Sequence, residues 1–132
     1  MIVQNPIATR KGSKDMFMGD VYIDTIVKTI EPTRTRVNAV HFTPGARTAW
    51  HSHAVGQYLH VTEGIGLVQE REDEIKVLKP GDTIYTPPGV WHWHGASKNH
   101  FMTHLAIWEA PEDGTESDWG EHVTDEEYNK QK

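Results

Sequence analysis

Gly45-Ala-Arg-Thr-Ala-Trp-His51-Ser-His53-Ala-Val-Gly-Gln57 opens the part of the chain that decides its reading, and Gly81-Asp-Thr-Ile-Tyr-Thr-Pro87-Pro-Gly89-Val-Trp-His92 closes it. On an extended segment, residues two apart project from the same face, so the imidazoles of His51 and His53 can converge on one ion. A lone His-x-His also arises by chance on exposed strands, so the surroundings carry the weight. Gln57 lies just beyond the bend at Ala54-Val55-Gly56, and Gly64 follows it. The second stretch delivers His92 three residues after the glycine of a Pro-Pro-Gly turn.

Outward from these stretches the chain reads as short strands separated by turn residues, the pattern of an all-β sandwich or barrel. Strands are expected over 20–26, 36–42, 56–61, 66–71, 74–78, 83–86 and 102–110. Thr43-Pro44-Gly45, Lys79-Pro80-Gly81-Asp82 and Pro87-Pro88-Gly89 punctuate them, each joining a fixed proline φ to a permissive glycine. Thr124-Asp125-Glu126-Glu127 matches a capping box and predicts one short C-terminal helix running towards Lys130. The polar stretch 111–120 reads as a loop over the outside, and the first dozen residues as an arm or an added strand.

A length of 132 residues suits one domain, 1–132, with an N-terminal arm over 1–19 and a C-terminal loop and helix over 111–132. The absence of cysteine excludes disulfide scaffolds, thiolate metal sites and cysteine nucleophiles. The net charge is −6 and no basic stripe stands out, which argues against nucleic acid as a partner. Apolar runs are too short for a membrane span and the N-terminus shows no secretory pattern, so the expected address is the cytoplasm. Nine histidines are many for this length, and six fall in the clusters His51/His53, His92/His94 and His100/His104.

The spacing of the glycines, histidines and proline resembles the two motifs of the cupin superfamily. The first runs from Gly45 through His51, His53 and Gln57 to Gly64, the second from Gly81 through Pro87 and Gly89 to His92. The resemblance implies a double-stranded β-helix, a jelly-roll barrel, with one divalent metal per chain held by His51, His53, Gln57 and His92. Two positions depart from the pattern: Gln57 stands where a glutamate is usual, and Ala96 where an asparagine is. Three imidazoles and a neutral amide leave the ion's charge uncompensated, which makes it a stronger Lewis acid and attractor of anions. Such ligands suit manganese, iron, nickel or zinc.

Further stretches resemble a narrower group, the manganese-dependent bacterial cupin hydroxynitrile lyases and their relatives. They are Phe42-Thr-Pro-Gly-Ala-Arg-Thr-Ala-Trp-His51, Trp91-His-Trp-His-Gly-Ala96, Met102-Thr-His-Leu-Ala-Ile107 and Asp118-Trp-Gly-Glu-His-Val-Thr-Asp-Glu-Glu-Tyr128. That likeness implies manganese as the metal and His104 as a base facing it. From the residues alone, His104, Ala106 and Trp108 share one face of their strand, and parity leaves open whether it is the inner one. Thr48 offers a hydroxyl that can hold a substrate oxygen or serve an ordinary turn. His94 can line the pocket behind His92, His60 points out of the barrel, and Trp91 and Trp93 pack on the face opposite the histidines.

Three functions follow as expectations. The first is a metal-dependent lyase that makes or breaks a cyanohydrin-type carbon–carbon bond, with His104 taking the hydroxyl proton. The second is a metal-dependent cupin dioxygenase, disfavoured where a ligand glutamate must act as base. The third is a non-catalytic module binding a small ligand. A small-molecule substrate and a homodimer or homotetramer are expected, because an open barrel leaves sheet edges that need cover.

Overall fold

The computed structural model describes residues 1–130, so the last two positions of the expected C-terminal segment lie outside the described residues. Two antiparallel sheets curl around a shared core without closing fully into a barrel. One holds β1 (Arg10–Lys11), β3 (Val21–Val27), β4 (Thr35–Phe42), β12 (Met102–Glu109), β7 (Gln57–Gly64) and β10 (Thr83–Thr86), paired in that order. The other runs β13 (Ser117–Trp119), β6 (His51–His53), β11 (His92–Ala96), β5 (Arg47–Thr48) and β2 (Phe17–Met18). Two further strands, β8 (Gly66–Glu70) and β9 (Lys76–Leu78), join it through β11.

Strand register stacks the inward side chains of the first sheet into layers. Val21, Phe42 and Met102 lie side by side at the closed end, followed by Ile23, Val40, His104 and Val61. Asn38, Ala106 and Leu59 come next, and Arg36, Trp108 and Gln57 form the layer at the mouth. Apolar side chains thus fill the closed end, and polar ones accumulate towards the opening. Phe42, Leu59, Val61 and Met102 are fully buried, each worth roughly 1.5–3 kcal/mol of hydrophobic stabilisation. Gly64 allows the closed end to form: its φ is +78°, and a Cβ there would sit 1.7 Å from the Phe101 carbonyl oxygen.

Every residue of β11 is buried, because both faces of that strand are covered. His92 and His94 face inward, while Trp93 packs outward with Trp50, Leu67, Val123 and Tyr128 in a second apolar cluster. The cover on that side is the chain's own C-terminal segment, ending in α1 (Asp125–Tyr128). The expected capping box is present: Thr124 accepts from the Glu127 N–H, and Glu127 reaches back to the Thr124 N–H. Tyr128 donates its hydroxyl to the Ala96 carbonyl at 2.7 Å and lies under the Arg47 guanidinium.

The longer expected strands are all found, with ends shifted by a few residues. The loop expected over 111–120 contains β13, which pairs with β6 through Ser117 opposite His53 and Trp119 opposite His51. Three polar or aromatic residues are too few to show an alternation, so this strand exists through backbone pairing alone. The N-terminal arm adds β1 to the edge of β3, and the Gln4 amide bonds both backbone groups of Lys28 further along. Among the described residues, no helix is long and apolar enough to cross a membrane.

Candidate metal centre

His51 and His53 share the inward face of β6, and His92 stands opposite His51 on β11. Ligand atoms of the three lie within 4.8 Å of one another, and all three residues are buried. Their other ring nitrogens are spoken for. His51 Nδ1 meets the Ala49 carbonyl at 2.8 Å, and His92 Nδ1 meets the Val90 carbonyl at 3.0 Å. A carbonyl only accepts, so both rings carry the proton on Nδ1 and turn a bare Nε2 towards the common centre. His53 Nδ1 is fixed by the Ser117 hydroxyl at 2.8 Å. Such outer partners orient the rings of metal-binding histidines.

The centre is short of partners in the way a cation would repair. His53 Nε2, His92 Nε2 and the Gln57 amide oxygen are buried with no hydrogen bond among the described residues. An orphaned buried acceptor costs stability, and three neutral imidazole nitrogens converging on one point fit a divalent metal. Burial keeps the imidazoles neutral. It holds the His53 pKa down to about 4, with the charge of neighbouring His92 adding to the effect, and it pushes His51 well below the usual range and His92 below it. Neutral rings are the metal-binding form.

The centre opens into a cavity of about 700 Å³ between the sheets. His51, His53, Gln57, Thr48 and His94 face it, with Phe17, Ile23, Val40 and Ala106 as its apolar wall.

Residues 38–108 match the family model described as the cupin domain. The chain belongs to the cupin family. It is 46% identical over 123 residues, 93% of either chain, to a protein of Granulicella tundricola named (R)-mandelonitrile lyase. Among solved structures it is similar to a cupin-like protein from Thermotoga maritima, with a TM-score of 0.86 and 45% identity over 91% of this chain and 90% of that one. A cupin 2 conserved barrel domain protein from Rhodopseudomonas palustris shares the fold at 18% identity, with a TM-score of 0.72 over 91% of this chain and 79% of the other.

The remaining candidate residues of this cupin lie around the three-histidine cluster. His104 sits on the inner face of β12, fully buried against Phe42. Its Nε2 contacts His94 Nδ1 at 2.9 Å, and it is His94 that borders the cavity. Burial pushes the His104 pKa down to about 3 and that of His94 well below the ordinary range. Thr48 borders the cavity too, and its hydroxyl accepts the His94 backbone N–H at 3.2 Å. His60 lies off the inner face, bonded to Thr83, and His41 pairs with Asp24. Sequence reasoning missed Ser117, which orients His53, and Trp119, whose ring stacks on His51 at 4.3 Å. Both come from the stretch read as a loop, where no periodicity marked them.

Proposed function

We infer that the chain is a metal-dependent lyase acting on cyanohydrin-type α-hydroxynitriles, cleaving them to an aldehyde and hydrogen cyanide or joining the two. The observation that carries this is the convergence of His51, His53 and His92 on one point beside a cavity that His94 also borders. The 46% identity to a protein named (R)-mandelonitrile lyase supports the same reaction. His51, His53, Gln57 and His92 are the ligands in this reading, and manganese is the metal that the family resemblance favours. A divalent cation bound there supplies Lewis acidity, stabilising negative charge on a substrate oxygen.

The chain's own residues handle the proton. In the tautomer that donates His94 Nδ1–H to His104 Nε2, His94 Nε2 presents a lone pair to the cavity. It takes the substrate's hydroxyl proton, the carbon–carbon electron pair leaves with cyanide, and the same proton returns to give hydrogen cyanide. His104, the base expected from sequence, acts from behind His94 and holds that tautomer. The Thr48 hydroxyl, anchored by the His94 N–H, donates to the substrate oxygen. Burial keeps both imidazoles neutral through the physiological range, as a base requires.

In the same reading the two sheets form the jelly roll of a single domain that works in the cytoplasm on a small molecule, as a homodimer or homotetramer. The outward face of the first sheet supports association, since the rings of Tyr58 and Tyr85 meet there at 4.8 Å, half exposed. The deciding experiment joins metal analysis of the purified protein to a screen of small aldehydes with cyanide, in air and without it. Hydroxynitrile formed equally in both supports the lyase. Product that needs air would replace it with a dioxygenase, and ligand binding without turnover would leave a binding module.

A further inference from the structure

Charge in the cavity runs against that of the chain as a whole. The sequence carries 19 acidic residues to 13 basic ones, yet the charged residues lining the cavity are Arg10, Lys11 and Arg36 against the single carboxylate Glu116. Arg36 projects from the inner face of β4 opposite Trp108, which is itself opposite Gln57. Guanidinium and metal ligand therefore share one layer, two strand spacings or about 10 Å apart at the backbone.

Glu116 orients Arg36 but does not use it up. Glu116 Oε1 accepts from Arg36 Nε at 2.5 Å and from Trp108 Nε1 at 3.2 Å, which pins the guanidinium plane. Arg36 Nη1 donates to Thr29 at 3.3 Å, and Nη2 has no partner among the described residues. Lys11 pairs with Asp20 at 3.1 Å, but that pair is exposed and worth little. The Arg10 side chain has no partner among the described residues. Between Arg36 and Gln57 in that layer stands Trp108, and the apolar wall lies deeper in the cavity. The arrangement suits a molecule with an oxygen for the metal at one end, a short carbon chain in the middle and an anion at the other end.

We propose that the substrate carries a carboxylate a short carbon chain away from its reacting hydroxyl, and that Arg36 receives this carboxylate while Arg10 and Lys11 draw anions to the mouth. The proposal rests on the metal-centre reading for the hydroxyl end only. A purely aryl or alkyl hydroxynitrile would fill the apolar wall and leave the oriented guanidinium facing water.

The test compares two probes on the metal-loaded protein by calorimetry: 4-hydroxybutanoate and the shape-matched neutral alcohol 4-methylpentan-1-ol. Wild type should prefer the carboxylate by about 10- to 100-fold, the worth of one charge-assisted contact. In Arg36→Gln the ratio should fall towards unity, and Arg36→Lys, which keeps the charge but not the fork, should lie between. Elemental analysis checks that each variant holds its metal; if Arg36→Gln loses it, the fall in ratio is read from Arg36→Lys. No preference in wild type overturns the proposal. So does a preference that both variants keep in full, because the metal alone would then be holding the carboxylate. Cyanide addition to 4-oxobutanoate and 4-methylpentanal is run alongside. Failure of both aldehydes with the binding ratio intact would sink the lyase reading and leave the carboxylate site standing.

Discussion

The metal-free protein should unfold steeply in mild acid, because five histidines are buried together with pKa values below the ordinary one. They are His51, His53, His92, His94 and His104. An unfolded histidine titrates near 6.5, whereas burial holds His53 down to about 4 and His104 down to about 3. Each lowered value means that the unfolded chain takes up its proton first as pH falls. The stabilisation is complete above about 6.5 and is lost as pH drops towards the folded values. In the steep part of the window each group costs about 1.4 kcal/mol per pH unit, so His53 and His104 alone cost about 3, and the other three add to it. A domain has only about 5–15 kcal/mol to lose, so the fall takes up a large share of it. The assay is tryptophan fluorescence and urea unfolding of chelator-stripped protein from pH 8 to pH 4, with proton uptake read from the slope of stability against pH. A slope of about two protons or more near pH 5 is expected, from His53 and His104 with the other three adding to them. Metal-free protein as stable at pH 4.5 as at pH 7.5 would refute the reasoning, since five buried neutral imidazoles could not then be present.

Other outcomes follow from single side chains. His53→Ala should empty the metal site, checked by elemental analysis, because it removes one of three converging rings. Ser117→Ala should keep the fold and weaken metal affinity by about 10- to 100-fold, the usual cost of losing an outer partner, measured by competition with a chelator. His104→Ala should leave metal content unchanged and lower turnover by about two to four orders of magnitude, because His94 loses the partner that fixes its tautomer. Tyr128→Ala should lower stability by about 3–5 kcal/mol in urea unfolding, as an aromatic ring leaves the cluster behind β11.

The metal centre was legible in the sequence because its geometry is local. His51 and His53 are two apart on one strand, and His92 follows a turn that proline and glycine fix. The long strands were legible through alternation, as in β7, where Gln57, Leu59 and Val61 are buried and Tyr58 is exposed. The face of His104 was not, because parity names two faces and only pairing with Val40 and Val61 selects the inner one. Nor was the order of His94 and His104 relative to the cavity, which depends on a contact between two different sheets. The short strands β1, β2, β5 and β13 carry too few residues for any period and exist through their neighbours.

A division of labour follows from where the match to the cupin domain stops. The matched span, 38–108, contains the three converging histidines together with Gln57, His94 and His104, the residues that bind metal and move a proton in the proposed reaction. Much of what shapes the rest of the cavity comes from the flanks. Arg10, Lys11 and Phe17 enter from the N-terminal side, and Glu116, Ser117 and Trp119 from the C-terminal side. The C-terminal flank also braces the centre: Ser117 holds His53, Trp119 covers His51, and the Val123 carbonyl accepts two hydrogen bonds from buried Arg47, beside Thr48. Substitutions at Arg10, Lys11 or Phe17 can therefore reshape what the cavity accepts while the ligand atoms stay in place, whereas those at Ser117 or Trp119 also disturb the histidines they brace. Arg36 lies just outside the matched span, on the same strand as Asn38 and Val40 inside it. Along those few residues the inner face of β4 passes from hydrocarbon through amide to guanidinium. One strand thereby grades the cavity from the buried histidines to its cationic mouth.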